Sequence, residues 1–403
     1  MQEVKFSAQR NTMEYASDRL ITYTDRNGPG ISMPCLVLCL IILLVLGFLP
    51  VLPGGLTIFF RPAFILICLL SSRGGIYRFG AEKWMLINLA YYVVIFFAFP
   101  ITSSSFETVV SMELFGLFFI LAASRPWSRH EIKLIIKTVA VACCICAVVV
   151  LYSNPSLLRS SGNQHINYLS AEINRNAMAF SVVPGVLCGA VFMLWGKKRL
   201  FGAAALILCS YTAFAIGCRS AFYALAIGVF LMFWEKCREM TDKDKRFSAK
   251  LGIIAVTIVI LIIIFYVSSG TYSHRLFDPS DSSGRDKIWE TAWELIHQKP
   301  VFGGGYDYWS DSGNTMGTHS TFLTSMLFSG YVGGALLAIF LRFVTFEVLK
   351  GHNLVPLAFA TELFCHTYSE PGMDYYAYIP LILAYIFVRY FRYKSSDIRS
   401  LFN

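Results

Sequence analysis

Long apolar runs separated by basic loops constrain this chain more than any other feature. Crossing about 30 Å of hydrocarbon takes roughly 20 residues of helix. About twelve runs reach or approach that length: 34–52, 55–72, 84–102, 106–124, 133–152, 177–196, 200–217, 220–235, 251–269, 320–346, 354–369 and 374–391. Inside a bilayer the backbone N–H and C=O groups need partners within the protein, and helices supply them within each segment. The eighth and eleventh runs are short, and the tenth is long and glycine-rich, which predicts a tilt or a break. Composition agrees, with 56% hydrophobic and 15% charged residues against about 45–50% and about 25% in a soluble domain. The expected fold is an all-α polytopic membrane protein of about 12 transmembrane helices, a single integral membrane domain over 1–403. A soluble enzyme, a disordered chain and a secreted disulfide scaffold are excluded.

The formal charge is +9, from 34 Lys+Arg and 25 Asp+Glu. Placement decides what that charge means. Basic residues fill the first tail (Lys5, Arg10, Arg19, Arg26), every second loop, and the last tail (Arg389, Arg392, Lys394, Arg399). The loops at 51–54, 102–105 and 370–373 are nearly free of them. This is the positive-inside pattern of a multi-pass membrane protein, not a groove for nucleic acid. It predicts cytoplasmic tails at 1–33 and 392–403, so that both termini are cytoplasmic. About 33 polar residues precede the first apolar run, so no cleavable signal peptide is expected. Of the 11 cysteines, most lie inside apolar runs and read as small hydrophobes. No metal or other cofactor site is expected.

Basic residues on the predicted outer side break the rule and so carry information. They are Arg159 and Arg175 in one loop, Arg219 at a tight turn, and Arg275, Arg285, Lys287 and Lys299 in a long outer loop at 270–318. Loops of that length are usually functional or disordered. This one contains a helical pattern from Arg285 to Gln298, with Ile288, Trp289, Ala292, Trp293 and Ile296 on one face. Pro300 and Gly303-Gly304-Gly305 end it. Such a helix is expected at the interface, with its tryptophans toward the headgroups.

Arginine presents a fork of donors that fits phosphate and stays charged at any working pH. Several arginines near hydrocarbon on one side point to an anionic ligand at the outer leaflet, with headgroup anchoring or carboxylate pairing as the alternative. His319, where the long loop re-enters the membrane, could take a proton from a hydroxyl or serve a structural role. Tyr306, Tyr308 and Trp309 could stack on sugar rings or belong to the aromatic belt. Arg61, inside the second run, could snorkel to the outer interface or be functional. Glu362 and His366 lie within the eleventh run, where a transporter would place ionisable residues.

Three segments together resemble a known family. "SSGRDKIWETAWELIHQKPVFGGGYDYW" followed by "THSTFLTSMLFSGYVGG" looks like the hallmark loop of the bacterial O-antigen ligase and polymerase family. "AIGCRSAFYALAIG" resembles that family's upstream arginine turn, and "RSSGNQHINYLSAEINRNAMAF" its Arg-x-x-Gly stretch. The resemblance implies a membrane glycosyltransferase of the C type, with 270–318 as its extracytoplasmic catalytic loop. A glycan on undecaprenyl diphosphate would pass to an acceptor hydroxyl at the outer face, without a cofactor. Arg219 and Arg285 would bind the diphosphate and His319 would activate or position the acceptor. Arg159, Arg175, Tyr306 and Trp309 are candidate substrate-binding residues. The acceptor would be a growing glycan in a repeat-unit polymerase, or lipid A-core in a ligase. A chain-length regulator is a further candidate partner. Ligases usually carry asparagine after the histidine, where this chain has Ser320. With the compact loop, that leans the reading toward a polymerase. A flippase of lipid-linked glycan is the alternative from another class.

Overall fold

The computed structural model describes residues 31–48, 127–155, 157, 165–168, 171–250, 285–305, 307–314, 317–350, 353–370, 375–393 and 398–402, with isolated positions at 63, 66, 67 and 122. The expected spans at 55–72, 84–102, 106–124 and 251–269 lie outside these residues, those positions apart. The described elements are helices α1 (Met33–Phe48) and α2 (Arg129–Ser153), an antiparallel hairpin of β1 (His165–Tyr168) and β2 (Ala171–Asn174), then α3 (Arg175–Trp195), α4 (Arg199–Ile216) and α5 (Arg219–Arg238). They continue with α6 (Arg285–Gln298), the single turn α7 (Tyr308–Asp311), α8 (Thr321–Lys350), α9 (Val355–Ser369), α10 (Tyr375–Tyr393) and the single turn α11 (Arg399–Phe402). Among the described residues five helices are long and apolar enough to cross a bilayer: α2, α3, α4, α5 and α8. The chain is therefore a helical, multi-pass membrane protein. The eight expected spans that fall on described residues coincide with α1, α2, α3, α4, α5, α8, α9 and α10. The two-stranded hairpin is an addition that an all-α expectation did not contain.

Local chemistry sets the helix ends. Ser128 caps α2 in a reciprocal box: its hydroxyl accepts from the Glu131 N–H at 3.2 Å, and the Glu131 carboxylate accepts from the Ser128 N–H at 2.8 Å. That carboxylate also accepts from Ser32, which brings the starts of α1 and α2 to one end of the bundle. At the other end the Tyr168 hydroxyl donates to the Gly47 carbonyl, and Asn154 binds Asn167. The hairpin therefore sits at the end opposite the starts of α1 and α2. α3 runs back from it and is buried along most of its length.

The basic loops gather at the end where α1 and α2 start. Glu239 accepts from Trp195 Nε1 at 2.7 Å and pairs with Arg399 at 3.3 Å, while Glu235 pairs with Arg238 at 3.0 Å and accepts from the Leu354 N–H. The α3–α4 turn, the end of α5, the start of α9 and the last turn α11 thus share one end, as the charge pattern expects of residues on one side of a membrane.

α8 contains the expected break. As a straight helix its 30 residues would span about 45 Å, well beyond the hydrocarbon. Ser329 and Gly330 leave the helical region, with Gly330 at φ 63° and ψ −162°, a conformation essentially reserved for glycine. A break orphans carbonyls before it and N–H groups after it. The loop following α6 satisfies both. The Gly304 and Gly305 N–H groups donate to the Leu327 and Phe328 carbonyls at 2.9 and 3.1 Å, and the Tyr331 and Val332 N–H groups donate to the Pro300 and Val301 carbonyls at 2.7 and 3.4 Å. Pro300 lacks an N–H to give but offers its carbonyl. The break leaves a membrane-length second part and a short first part. The latter packs Leu323, Met326 and Leu327 against Ala292, Leu295 and Ile296 of α6.

A Cβ at Gly330 would overlap the Val301 carbonyl and the Phe302 nitrogen, whereas one at Gly313, also at positive φ, would meet nothing within 4 Å. Gly313→Ala is therefore expected to cost only the backbone strain of about 1–3 kcal/mol. Gly330→Ala is expected to cost clearly more, and to lower the melting temperature of the detergent-purified protein further. Equal melting of the two variants would contradict the close threading of loop and helix.

Candidate functional site

Three segments meet at the end of the bundle opposite the basic loops. The first is the α4–α5 turn. Gly217, left-handed at φ 76°, closes α4 by donating to the Ala213 and Phe214 carbonyls. Cys218 is then the N-cap of α5, so Arg219 is its first residue and is half-buried. The second is α6, which Arg285 opens. Its Nε is buried with no hydrogen-bond partner among the described residues. The third is the entry to α8, Thr318–Thr321. There His319 has φ 51°, alone among the described non-glycine residues in having a positive φ. Such a conformation costs energy and occurs preferentially at functional sites. The histidine is half-buried and its Nδ1 is fully so.

Named contacts join the three. Trp289, one turn after Arg285, donates from Nε1 to the Thr318 carbonyl at 2.9 Å, which ties α6 to the residue beside His319. The Thr321 hydroxyl donates to the Glu370 carbonyl at 2.8 Å, which ties the start of α8 to the end of α9. α9 packs antiparallel to α5, where the Thr361 hydroxyl faces the Ala224 carbonyl. The Cys218 thiol is 4% exposed. Burial raises its pKa first, the Ser220 hydroxyl and the Ala221 N–H lower it, the Glu370 charge raises it and the Arg285 charge lowers it. One thiol therefore lies within electrostatic reach of both Arg285 and Glu370, which brings the α5 turn, α6 and α9 together.

The backbone adds to this field. α5, α6 and α8 all begin here, and a helix N-terminus carries unpaired N–H groups and about half a positive charge. Two arginines and three helix starts thus make this end of the bundle favourable for negative charge. Ser320 is the N-cap of α8: its hydroxyl accepts from the Leu323 N–H at 3.4 Å, and its carbonyl accepts from Thr318 and Thr324. Asparagine caps as well as serine does, so Ser320 is explained by helix geometry and carries no information about the acceptor.

The other expected residues stand at the same end, serve packing, or fall outside the described residues. Arg175 is the first residue of α3 and 4% exposed. Phe180 meets His366 edge-on at 4.9 Å, and Leu187 lies level with Ala358. With about 1.5 Å of rise per residue, Arg175 stands at the level of Glu370. Trp309 packs within the small core between α6 and α8 and is 9% exposed, so its ring serves packing and offers no open face for a sugar. The Tyr308 hydroxyl donates to the Leu295 carbonyl at 3.3 Å, and Lys299 lies 4.5 Å above its ring. Trp289 turns into the protein, not toward headgroups, because its indole N–H is taken by Thr318. Trp293, 42% exposed, leaves the buried stripe and Leu295 joins it. Arg159, Tyr306 and Arg61 lie outside the described residues. Sequence reasoning missed Glu370, which is 6% exposed. The available signal was an acid directly before Pro371, at the outer end of an apolar run.

Comparison with known families agrees with this layout. Residues 203–338 match the family model described as O-antigen ligase. A search of curated proteins finds no match. The O-antigen ligase match runs from within α4 into the second part of α8. It therefore takes in Arg219, Arg285, His319 and the loop that threads the break, while Arg175 and Glu370 lie outside it.

The shared field around Cys218 gives a direct test of the convergence. Glu370→Gln removes a charge that raises the thiol pKa, and Arg285→Gln removes one that lowers it. Alkylation of Cys218, followed against pH by peptide-resolved mass spectrometry, is expected to shift to lower pH in Glu370→Gln and to higher pH in Arg285→Gln. Unchanged profiles in both would separate these segments.

Proposed function

We propose that this protein transfers a glycan from undecaprenyl diphosphate to an acceptor hydroxyl at the outer face of the inner membrane. The family match supports a lipid-linked glycan and an acceptor as substrates. The observation that carries the reading is the meeting of two arginines and a strained histidine at the end away from the basic loops. By the positive-inside rule the basic end faces the cytoplasm, which puts this end outside.

In this reading His319 accepts the proton of the acceptor hydroxyl as its oxygen attacks the anomeric carbon. The bond from that carbon to the phosphate oxygen breaks, and the electron pair leaves with the diphosphate. Arg219 and Arg285 stabilise the charge that builds there, at fixed positions with little solvent to reorganise. Arg159, Arg175 and Glu370 are further candidates for holding or orienting the substrates. A single displacement inverts the anomeric centre, so NMR analysis of the new linkage is expected to show inversion; retention would require a covalent intermediate that this scheme lacks.

A repeat-unit polymerase is preferred on the compact loop alone, since Ser320 is accounted for as a cap. A ligase onto lipid A-core is the alternative acceptor choice. A flippase would rest on Glu362 and His366, both fully buried in α9. Arg219→Ala, Arg285→Ala and His319→Ala are each expected to abolish product at normal protein level. Complemented deletion strains, profiled for surface polysaccharide and lipid-linked intermediates, separate the readings. Single repeat units without a ladder indicate a polymerase. Bare core with long chains kept on the carrier indicates a ligase. Normal profiles in the deletion strain would overturn the transferase.

A further inference from the structure

Tyr368 is an exposed aromatic residue beside the candidate site's joints. It lies in the last turn of α9, two residues before Glu370, and is 64% exposed. Its ring meets Trp289 edge-on, with centroids 5.9 Å apart and planes at 82°. Trp289 is itself fixed by the Thr318 carbonyl, and α9 is fixed there by the bond from Thr321 to Glu370. An exposed tyrosine on a lipid-facing helix is free to rotate; this one is braced against a tryptophan that is itself hydrogen-bonded.

The position of the pair suggests its ligand. Trp289 follows Arg285 by one turn, about 6 Å along α6, and its indole is bonded to the neighbour of His319. The aromatic pair thus adjoins both the helix opened by the arginine assigned to the diphosphate and the residue before the histidine assigned to the hydroxyl. A sugar joined to that diphosphate would have to reach the same neighbourhood for its anomeric carbon to react. The apolar C–H face of a pyranose stacks on an aromatic ring, and tyrosine offers a large, rigid face at low entropic cost.

We propose that Tyr368, braced by Trp289, is the platform for the carrier-linked sugar, the ring whose anomeric carbon reacts. This rests on the transferase reading and deepens it by giving the donor's first sugar a subsite separate from the phosphate contacts. It also gives Tyr368 a role that the aromatic belt would not, since a belt residue does not distinguish a carrier with a sugar from one without.

The test uses the full-length protein in nanodiscs and two probes. One is lipid-linked glycan extracted from a strain lacking the gene; the other is undecaprenyl diphosphate alone. Binding is followed by tryptophan fluorescence in wild type, Tyr368→Ala and Tyr368→Phe, with melting curves to confirm folding. Tyr368→Ala is expected to weaken the glycan-bearing carrier about tenfold, equal to about 1.4 kcal/mol, and to leave the bare carrier unchanged. Tyr368→Phe, which keeps the ring, is expected to bind both like wild type. Equal loss for both probes, no loss for either, loss in Tyr368→Phe, or absence of glycan binding in wild type would overturn the proposal. A wild type that binds the glycan through Tyr368 yet forms no glycosidic bond would instead overturn the transferase reading and leave the platform standing.

Discussion

The exchange of backbone hydrogen bonds between the glycine-rich loop and the break in α8 is the contact on which the site depends. A membrane helix cannot stop and restart without leaving several N–H and C=O groups unpaired, each costly in hydrocarbon. Here Pro300, Val301, Gly304 and Gly305 supply partners on both sides of the break. The loop can approach only because Gly330 has no Cβ to meet the Val301 carbonyl. Once made, this exchange fixes the end of α6 against α8, and the core of Ala292, Ile296 and Leu327 fixes the rest. Arg285 and His319 then belong to one rigid assembly although a long loop separates them in sequence. Anchoring by backbone holds both residues to one geometry, as the proposed catalytic roles would require.

The second constraint is electrostatic. Three helices begin at one end of the bundle, and their N-termini already favour an anion. Glu370 moderates that field from the end of α9. Its carbonyl holds Thr321, and its charge opposes that of Arg285 at the Cys218 thiol. The single left-handed histidine stands between these parts. A histidine held at φ 51° persists because the cap at Ser320 and the bonds at Thr318 determine the chain on either side of it.

Hydrophobic length and charge placement make the described long helices legible from sequence alone. The spans at 133–152, 177–196 and 200–217 coincide with α2, α3 and α4 because each is a near-continuous apolar run. The helix from Arg285 to Gln298 was legible because its periodicity is clean and Pro300 stops it. The glycines announced a break in α8, but no local pattern says that a distant loop fills it. The orientation of Trp289 was misread for a related reason. An amphipathic face is equally satisfied by lipid or by protein, and only tertiary contact with Leu323 and Met326 chooses between them. Glu370 was missed because an acid at a helix end looks like ordinary interfacial polarity. Its meaning comes from Thr321, 49 positions away in sequence.

Arg285 differs from two arginines at the basic end of the bundle. At the basic end Arg238 and Arg399 each have a carboxylate within 3.3 Å, so their charge is met inside the protein. At the other end the Arg285 Nε is buried without a hydrogen-bond partner among the described residues. A buried donor left unmade costs about 1–3 kcal/mol, and more on a charged group. Among the described residues, carboxylates stand beside Arg238 and Arg399, while this nitrogen meets no acceptor. A phosphate oxygen would supply that acceptor and a negative charge together, which is how the proposed lipid-diphosphate donor would engage Arg285.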